Sequence, residues 1–540
     1  MKRFSLLPAL TWLVALLVVS PIVAIGYSAL SADTAVFHSL LDTVLPIYAK
    51  NSLLLAAGVV GFAAFFALPC AWLLARYQFF SASFLQWALV LPLAMPGYII
   101  GFIYTDWFDY AGPIQIALRQ WFGWQSIHDY WFPDIRTLTG AMIVLALVLY
   151  PYIYLLMRAA FLEQPATMTQ AARSLGVTPW QRFWRIHLPM ARPALVVGCA
   201  LVAMEALGDF GTVNYFAVHT LTTAVYDAWL GYSQVHAASQ IASLMLLAVV
   251  LVLALERYSR RQLKVFAKGQ AQGSEKQILR GWRQVIALLW CWGLLAAAFI
   301  FPVLQLVDYS WQYWQQSWND DFAQISWHSF SLSIYAALVA LILALAVNVY
   351  HRLYATKPRS VWPMRLASFG YAVPGTVLAI GILLPAGALQ HWVNDQWVAL
   401  GYRPLGLFIS GTIAALVIAF VIRFAAVAIG AIESGYSKLS PSLDMAAKTM
   451  GCHGLTLFWR VHLPLLKRSL LVATMLVFIE SMKELNAALI LAPFNFNTLA
   501  THVYHYVSDD QLYIAALPAL LLVAVGLIPL IWLNRSLERA

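Results

Sequence analysis

Five ionisable side chains stand inside stretches that are otherwise apolar: Glu205 and Asp209 in one, Glu480, Lys483 and Glu484 in another. A charge at the centre of a bilayer costs about 3 kcal/mol even on lenient insertion scales, so such groups face a partner or water. Two chemistries fit the pattern. The carboxylates could line a negatively biased route for a cation, their hard oxygens suiting a hard metal ion. Alternatively Lys483 pairs with Glu480 or Glu484 and ties helices together. No Tyr or His spacing completes a recognisable metal site beside them.

A second constellation is a repeat. "FWRIHLP" occupies 183–189 and "FWRVHLP" occupies 458–464, 275 positions later. With their upstream neighbours the stretches are "QAARSLGVTPWQRFWRIHLP" (170–189) and "MAAKTMGCHGLTLFWRVHLP" (445–464). Each places two alanines, a Gly four residues after the second, an Ile or Val ten residues further on, and a closing Leu-Pro. Small alanines on a short amphipathic helix allow close approach to another surface. Gly176 and Gly451 can adopt the backbone that stops a helix and turns the chain. Pro189 and Pro464 suit the start of the next helix, where a missing N–H is tolerated. The spacing predicts a helix, a turn and a second helix at a membrane surface, once per repeat.

The chain that positions these residues has 540 of them, 62% hydrophobic and only 10% charged, with a mean hydropathy of +0.75. That composition is far from the roughly one-quarter charged residues of soluble domains. Apolar runs of about 20 residues without strand-like alternation predict membrane-spanning helices and not a barrel. We place about twelve spans, near 6–30, 51–75, 86–104, 138–160, 194–216, 236–256, 283–305, 328–350, 366–388, 406–430, 469–492 and 513–534. The first, after Lys2 and Arg3, reads as a retained helix, because its apolar run exceeds a usual signal-peptide core.

Basic residues orient the spans. Arg257, Arg260, Arg261, Lys264, Lys268, Lys276 and Arg280 fall in one inner loop, and His351, Arg352, Lys357, Arg359 and Arg365 in another. The outer loops carry only Lys50, Arg119, Arg136 and Arg403 against Asp106, Asp109, Asp129, Asp134, Asp308, Asp320, Asp321, Asp509 and Asp510. Both termini are then cytoplasmic. The net charge of +10 reflects this bias; no loop interleaves aromatics with a basic stripe, so no nucleic-acid partner is expected. Cys70, Cys199, Cys291 and Cys452 form neither a disulfide framework nor a metal-ligand spacing.

The longest polar inner segment separates six spans from six, giving a first half (1–256), a linker (257–282) and a second half (283–540). "MPGYIIG" at 95 is answered by "VPGTVLA" at 373, "ME" at 204 by "IE" at 479, and "TLTTAVY" at 220 by "TLATHVY" at 498, all in order at offsets of 275 to 278. Six spans return the chain to its starting side, so the repeat is parallel and its pseudo-twofold axis lies along the membrane normal. The expected fold is all-α, a polytopic membrane protein of two parallel six-helix repeats, with a transport route between the halves.

The paired loop motif resembles the cytoplasmic "EAA" loop of bacterial ABC-importer permeases: Glu-Ala-Ala, three residues, Gly, nine residues, Ile, one residue, Leu-Pro. On that resemblance Ala171, Ala172, Gly176, Ile186, Leu188 and Pro189 carry over in the first half, and Ala446, Ala447, Gly451, Val461 (for Ile), Leu463 and Pro464 in the second. Gln170 and Met445 stand where the family has Glu, with Asp444 one position early. The resemblance implies a type I importer fold and a coupling segment that docks on a cytoplasmic ABC ATPase dimer. ATP and Mg would sit on that partner and no cofactor on this chain. Consistently, "GQAQGSEK" at 269–276 has the wrong spacing for a phosphate loop, so the chain itself is not expected to be an enzyme.

Within that superfamily the fused halves look most like ferric-iron permeases that work with a periplasmic binding protein. The carrying stretches are "LVLPLAMPGYIIGFIYTDWFDYAGP" (89–113), "MEALGDFGTVNYFAVHTLTTAVYDAW" (204–229) and "IESMKELNAALILAPFNFNTLATHVY" (479–504). Thiamine permeases share the fused two-loop design, and polyamine and sulfate permeases share the loop. Tyr104, Trp107, Tyr110, Trp121, Trp124 and Trp131 crowd the loop after the third span, either as interface-belt aromatics or as a landing surface for the binding protein. From another class, a secondary transporter of six-plus-six architecture would share the span count but not the duplicated docking motif.

Overall fold

The computed structural model describes residues 6–31, 35–261, 276–318, 320–353 and 361–538. Lys2, Arg3, Lys264, Lys268, Lys357 and Arg359, and most of the linker at 257–282, lie outside the described residues. The structure is all-α. Among the described residues the sole strand pairing is a two-residue parallel bridge of Tyr77–Gln78 with Gln277–Ile278. Lys276 Nζ donates to the Leu74 carbonyl at 3.0 Å beside it, placing a cation at a helix C-terminus.

Ten helices among the described residues are long and apolar enough to cross a membrane. They correspond to the first, second, fourth to eleventh spans: Leu6–Ser31, Leu45–Arg76, Leu138–Glu163, Pro179–Gly208, Val235–Arg261, Trp282–Gln312, Asp320–Leu353, Gly375–Ala399, Ile413–Ser437 and Phe458–Lys483. The twelfth is the helix Ala516–Glu538. The third differs from a straight span: Ala82–Ala94 and Gly97–Phe122 meet at 93°. Ahead of this bend runs a 3-10 turn, Leu91–Ala94, then extended Met95 (φ −97°, ψ 121°) and Pro96. The ninth span opens the same way, with the 3-10 turn Ser368–Ala372, extended Val373 (φ −83°, ψ 122°) and Pro374. Proline disfavours the helical conformation in the residue before it, and with Met95 and Val373 extended both Pro-Gly pairs break the helix at that residue.

The fifth and eleventh spans end earlier than their apolar runs suggest, at Gly208 and Lys483, and short helices Gly211–Tyr215 and Asn486–Leu491 follow. They also begin earlier, because the second helix of each loop motif does not lie apart on a surface but runs straight into the span.

By contacts the chain resolves into two compact units. One collects Met1–Thr43, Ala224–Leu246 and Gln315–His505; the other collects Val44–Thr223, Leu247–Trp314 and Tyr506–Ala540. This partition is not the sequence division at the linker, since each unit takes segments from before and after it. In the first unit the opening span packs on the ninth, so closely that a Cβ on Gly381 would lie 2.7 Å from the Pro21 carbonyl oxygen. In the second unit Arg136 Nη2 donates to Asp510 Oδ1 at 2.8 Å and to the Tyr215 hydroxyl at 3.0 Å, fastening the start of the fourth span to the turn before the twelfth.

Within each unit the two kinds of break meet. A Cβ on Gly97 would lie 2.6 Å from Thr212 Oγ1. One on Gly375 would collide with the Arg423 guanidinium and lie 2.6 Å from Glu484 Oε1. Gly430, in the tenth span, has nothing within 4 Å. Gly375→Ala should therefore destabilise the protein by about 1–3 kcal/mol, whereas Gly430→Ala should be neutral or stabilising by up to about 1 kcal/mol. Melting temperatures of the two variants in one detergent check this, and equal shifts would contradict the packing described.

Candidate functional site

The two loop motifs fold alike. In the first, Ala166–Ser174 is a helix closed by Gly176 at φ +74°. The Val177 N–H donates to the Ala172 carbonyl (3.0 Å) and the Gly176 N–H to the Arg173 carbonyl (2.9 Å). In the second, Pro441–Thr449 is closed by Gly451 at φ +83°, with Cys452 N–H to Ala447 carbonyl (2.9 Å) and Gly451 N–H to Lys448 carbonyl (3.1 Å). This paired closure satisfies carbonyls that a helix end otherwise leaves open, and it requires the left-handed residue that glycine supplies. Nothing stands within 4 Å of a Cβ at either glycine, so the constraint there is backbone strain alone.

After the turn both chains re-enter a helix and make one π turn, Phe183–His187 and Phe458–His462, before Leu188-Pro189 and Leu463-Pro464. Leu188 N–H donates to Phe183 and Leu463 N–H to Phe458. A proline ring inside a helix clashes with the carbonyl four residues back; the wider π turn spanning that carbonyl, at Arg185 or Arg460, relieves it. The repeated seven residues thus encode a helix that continues through a proline.

Equivalent positions of the two motifs are buried and exposed alike within their own units. Ala172, Ala447, His187 and His462 are buried, Ile186, Val461, Leu188 and Leu463 half-buried, and Gln170, Ala171, Met445, Ala446, Gly176, Gly451, Pro189 and Pro464 exposed. Large apolar side chains project outward on each motif: Leu175 (80% exposed), Trp180 and Trp184 on the first, Met445, Met450 (76%) and Trp459 on the second.

The buried histidines anchor each motif to its unit by different chemistry. His187 Nδ1 lies 2.7 Å from Gln164 Oε1, which also accepts from Arg76 Nη2 at 3.0 Å, while Gln164 Nε2 donates to the His187 carbonyl at 2.8 Å. Because that oxygen accepts only, Nδ1 carries the proton. His462 instead places Nε2 3.1 Å from Asp444 Oδ1 and Nδ1 3.3 Å from the Tyr436 hydroxyl. Arg352 Nε donates to Asp444 Oδ2 at 2.8 Å and Arg352 Nη2 to the Leu439 carbonyl at 3.1 Å. Burial pushes the Asp444 carboxyl up, but the hydrogen bonds from Arg352 and His462 and their charges outweigh it, leaving the group below the usual carboxylate range. Asp444 faces inward and does not stand in for an outward Glu at Met445.

Asp209 and Glu484 sit at the breaks after the fifth and eleventh spans. Asp209 Oδ1 accepts the Thr212 and Val213 N–H groups (3.0 and 3.1 Å), and its Oδ2 accepts the Thr212 hydroxyl (3.1 Å). Glu484 Oε1 accepts the Ala487 N–H (3.0 Å) and Arg423 Nη1 (3.1 Å). Each carboxylate caps the short helix that follows. Lys483 pairs with Glu480 at 3.2 Å on its own helix, so this contact does not tie two helices together. Glu205 lies one turn before Asp209, half-buried. Among the described residues no group of three or more His, Cys, Asp or Glu could hold a metal ion. The sequence motifs pass over Arg423, Arg76 and Arg352. Arg423 is a lone guanidinium in an apolar run, which needs a partner; Arg76 and Arg352 recur at the repeat offset, 352 − 76 = 276.

Two stretches of the chain, residues 67–265 and 353–540, match the family described as the binding-protein-dependent transport system inner membrane component. The chain belongs to that family. It is 26% identical over 505 residues to a Fe(3+)-transport system permease protein of Haemophilus influenzae, covering 90% of this chain and 89% of that one. A ferric transport system permease protein of Actinobacillus pleuropneumoniae is 23% identical across 81% of this chain and 63% of its own length. A molybdenum transport system permease protein of H. influenzae is 30% identical, covering 38% of this chain and 88% of that one. The protein is therefore a multi-pass inner-membrane permease component, not itself catalytic, carrying the family's match twice. The matched stretches contain both loop motifs.

The ionic anchor has a pH signature. A carboxyl held below its ordinary range stabilises the fold above about pH 4 and loses that contribution as pH falls through its folded value. Asp444→Asn should melt lower than wild type at neutral pH, with a deficit on the order of 2 kcal/mol that shrinks as the pH drops below about 4. A deficit independent of pH would show that the carboxylate charge is not what anchors this motif.

Proposed function

We propose that this chain is the membrane subunit of an ATP-driven importer that passes ferric iron delivered by a periplasmic binding protein. The observation that carries the importer reading is the duplicated loop: two segments 275 positions apart with the same alanine-glycine closure, the same π turn and the same outward apolar side chains. Gln170, Ala171, Ala172, Gly176, Ile186, Leu188 and Pro189, with Met445, Ala446, Ala447, Gly451, Val461, Leu463 and Pro464, form the two coupling segments in this reading. An ABC ATPase dimer docks on them, binds ATP and Mg, and transmits its closure into the fifth and eleventh spans. The helical continuity of each motif with its span supports a rigid transmission. Both termini and both motifs face the cytoplasm, and the halves 1–256 and 283–540 act as two permease repeats joined by the linker at 257–282.

Iron is supported by the likeness to the H. influenzae ferric permease across nine-tenths of the chain. We assign Glu205, Asp209, Glu480, Lys483 and Glu484 to the route. Asp209 and Glu484 spend oxygens on backbone N–H groups and Arg423, so they shape the route and do not ligate the cargo; specificity is set by the binding protein. The molybdenum permease, more identical but over 38% of this chain, is the rival that a substrate test must separate.

Cells lacking this protein should lose uptake of labelled ferric iron at limiting concentration and keep uptake of labelled molybdate, sulfate and thiamine. Loss of an oxyanion or of thiamine alone would overturn the iron assignment and leave the importer standing.

Gly176→Val and Gly451→Val each force a β-branched residue to positive φ, at about 1–3 kcal/mol of strain. Each should leave the spans folded, lower transport and free ATP hydrolysis from substrate control in the reconstituted complex. Unchanged, coupled transport in both variants would sink the coupling assignment, as would uptake that survives ATP depletion but collapses with the ion gradient.

A further inference from the structure

The first helix of the seventh span, Trp282–Leu295, packs in the same compact unit as the second to fourth spans. One side of it is well held. Trp290 meets Phe65 edge-on at 5.2 Å, Trp292 stacks on Phe84 at 5.5 Å, and Cys291 Sγ lies 3.8 Å from Cys70 Sγ. Beside these contacts the packing is open. A cavity of about 660 Å³, which Trp290 also borders, lies between this helix and the second, third and fourth spans, lined by Phe66, Tyr104, Ile143, Leu147, Leu289 and Gly293. Asp134 and Thr137 stand where the fourth span begins and supply its polar rim. From Thr139 to Leu147 the lining descends about 12 Å at helical rise. Leu289 is 69% exposed and Ile143 37%, so the cavity opens sideways.

A Cβ on Gly293 meets nothing within 4 Å, so the seventh span leaves open space on this side.

We propose that the cavity holds one acyl chain of a membrane phospholipid, wedged between the seventh span and the third and fourth. Its walls belong to membrane-spanning helices and its side is open, so the surrounding medium is hydrocarbon and not water. An empty void would forfeit the dispersion contacts of every side chain around it. A single flexible acyl chain can enter from the side, lie along the fourth span and leave its headgroup at the end where Asp134 and Thr137 line the cavity with Tyr104, a residue type of the membrane interface. The gain is packing, because the chain moves from one apolar medium to another. The Arg136 guanidinium, the nearest cation in sequence to the rim, is already bonded to Asp510 and Tyr215. The rim therefore presents the Asp134 carboxylate and suits a headgroup bearing an ammonium.

Gly293→Phe narrows the cavity from a position where a Cβ meets nothing within 4 Å, and it replaces a poor helix former with a better one. The full chain, purified in mild detergent with its native lipid, should retain one more phospholipid in native mass spectrometry than the Gly293→Phe variant. A diazirine-tagged phosphatidylethanolamine acyl chain should label peptides containing Leu289 and Ile143 in wild type. In the variant that labelling should fall to the level seen at Leu338, an exposed position of the eighth span. Ile143→Trp fills the same space from the opposite wall and serves if the first variant folds poorly. Equal retention and labelling in wild type and the folded variants would overturn the proposal.

Discussion

A backbone N–H that leaves a helix inside hydrocarbon must find its acceptor within the protein, because no water is there to take it. The interrupted spans follow from that constraint. Where the fifth span stops at Gly208, Asp209 accepts the two N–H groups that the next short helix would leave open; where the eleventh stops at Lys483, Glu484 accepts one and is held by Arg423. A charged residue in an apolar run is thus first a structural device. Its position one residue past a helix end, and not its charge alone, explains why it is tolerated.

That device explains the Pro-Gly repeats as well. Proline ends the preceding turn by removing helical freedom from Met95 and Val373, and glycine keeps the next helix small enough at its start to abut the acid-capped break. Gly97 lies against Thr212, which is itself bonded to Asp209, and Gly375 lies against Glu484 and Arg423. Features far apart in sequence are one feature in each unit. The threonine repeats at 220 and 498 are a smaller version of the same logic: Leu221 N–H donates to Ser52 Oγ and Leu499 N–H to Ser329 Oγ, so hydroxyls from the second and eighth spans satisfy the start of a helix.

Much of this was legible in the sequence where the determinant is local. The left-handed turns at Gly176 and Gly451, the breaks at Pro96 and Pro374 and the helical run of most spans follow from residue type and periodicity. What escaped depends on partners chosen in three dimensions. Arg423 is 61 positions from Glu484 and no spacing rule connects them. The exchange of segments between the compact units, with the opening span packing on the ninth, leaves no trace in hydropathy because every candidate partner is equally apolar. Likewise the ends of the fifth and eleventh spans could not be read from apolar runs, since the break is written in a capping acid and not in a loss of hydrophobicity.

The two repeats have diverged where it matters for docking. The first motif is held by neutral amide chemistry, Gln164 to His187, with Arg76 behind it; the second by an ionic chain, Arg352 to Asp444 to His462. Because Asp444 spends both oxygens inward, neither motif offers a carboxylate at the family's glutamate position: Gln170 and Met445 are exposed there instead, among Leu175, Trp180 and Trp184 on one side and Met450 and Trp459 on the other. Contact with the proposed ATPase partner then draws on these apolar side chains together with the exposed cations Arg173, Arg185, Lys448 and Arg460. The ionic chain below the second motif acts on the partner only indirectly, by fixing the orientation of the helix that carries Met445, so the two copies present similar surfaces on differently built supports.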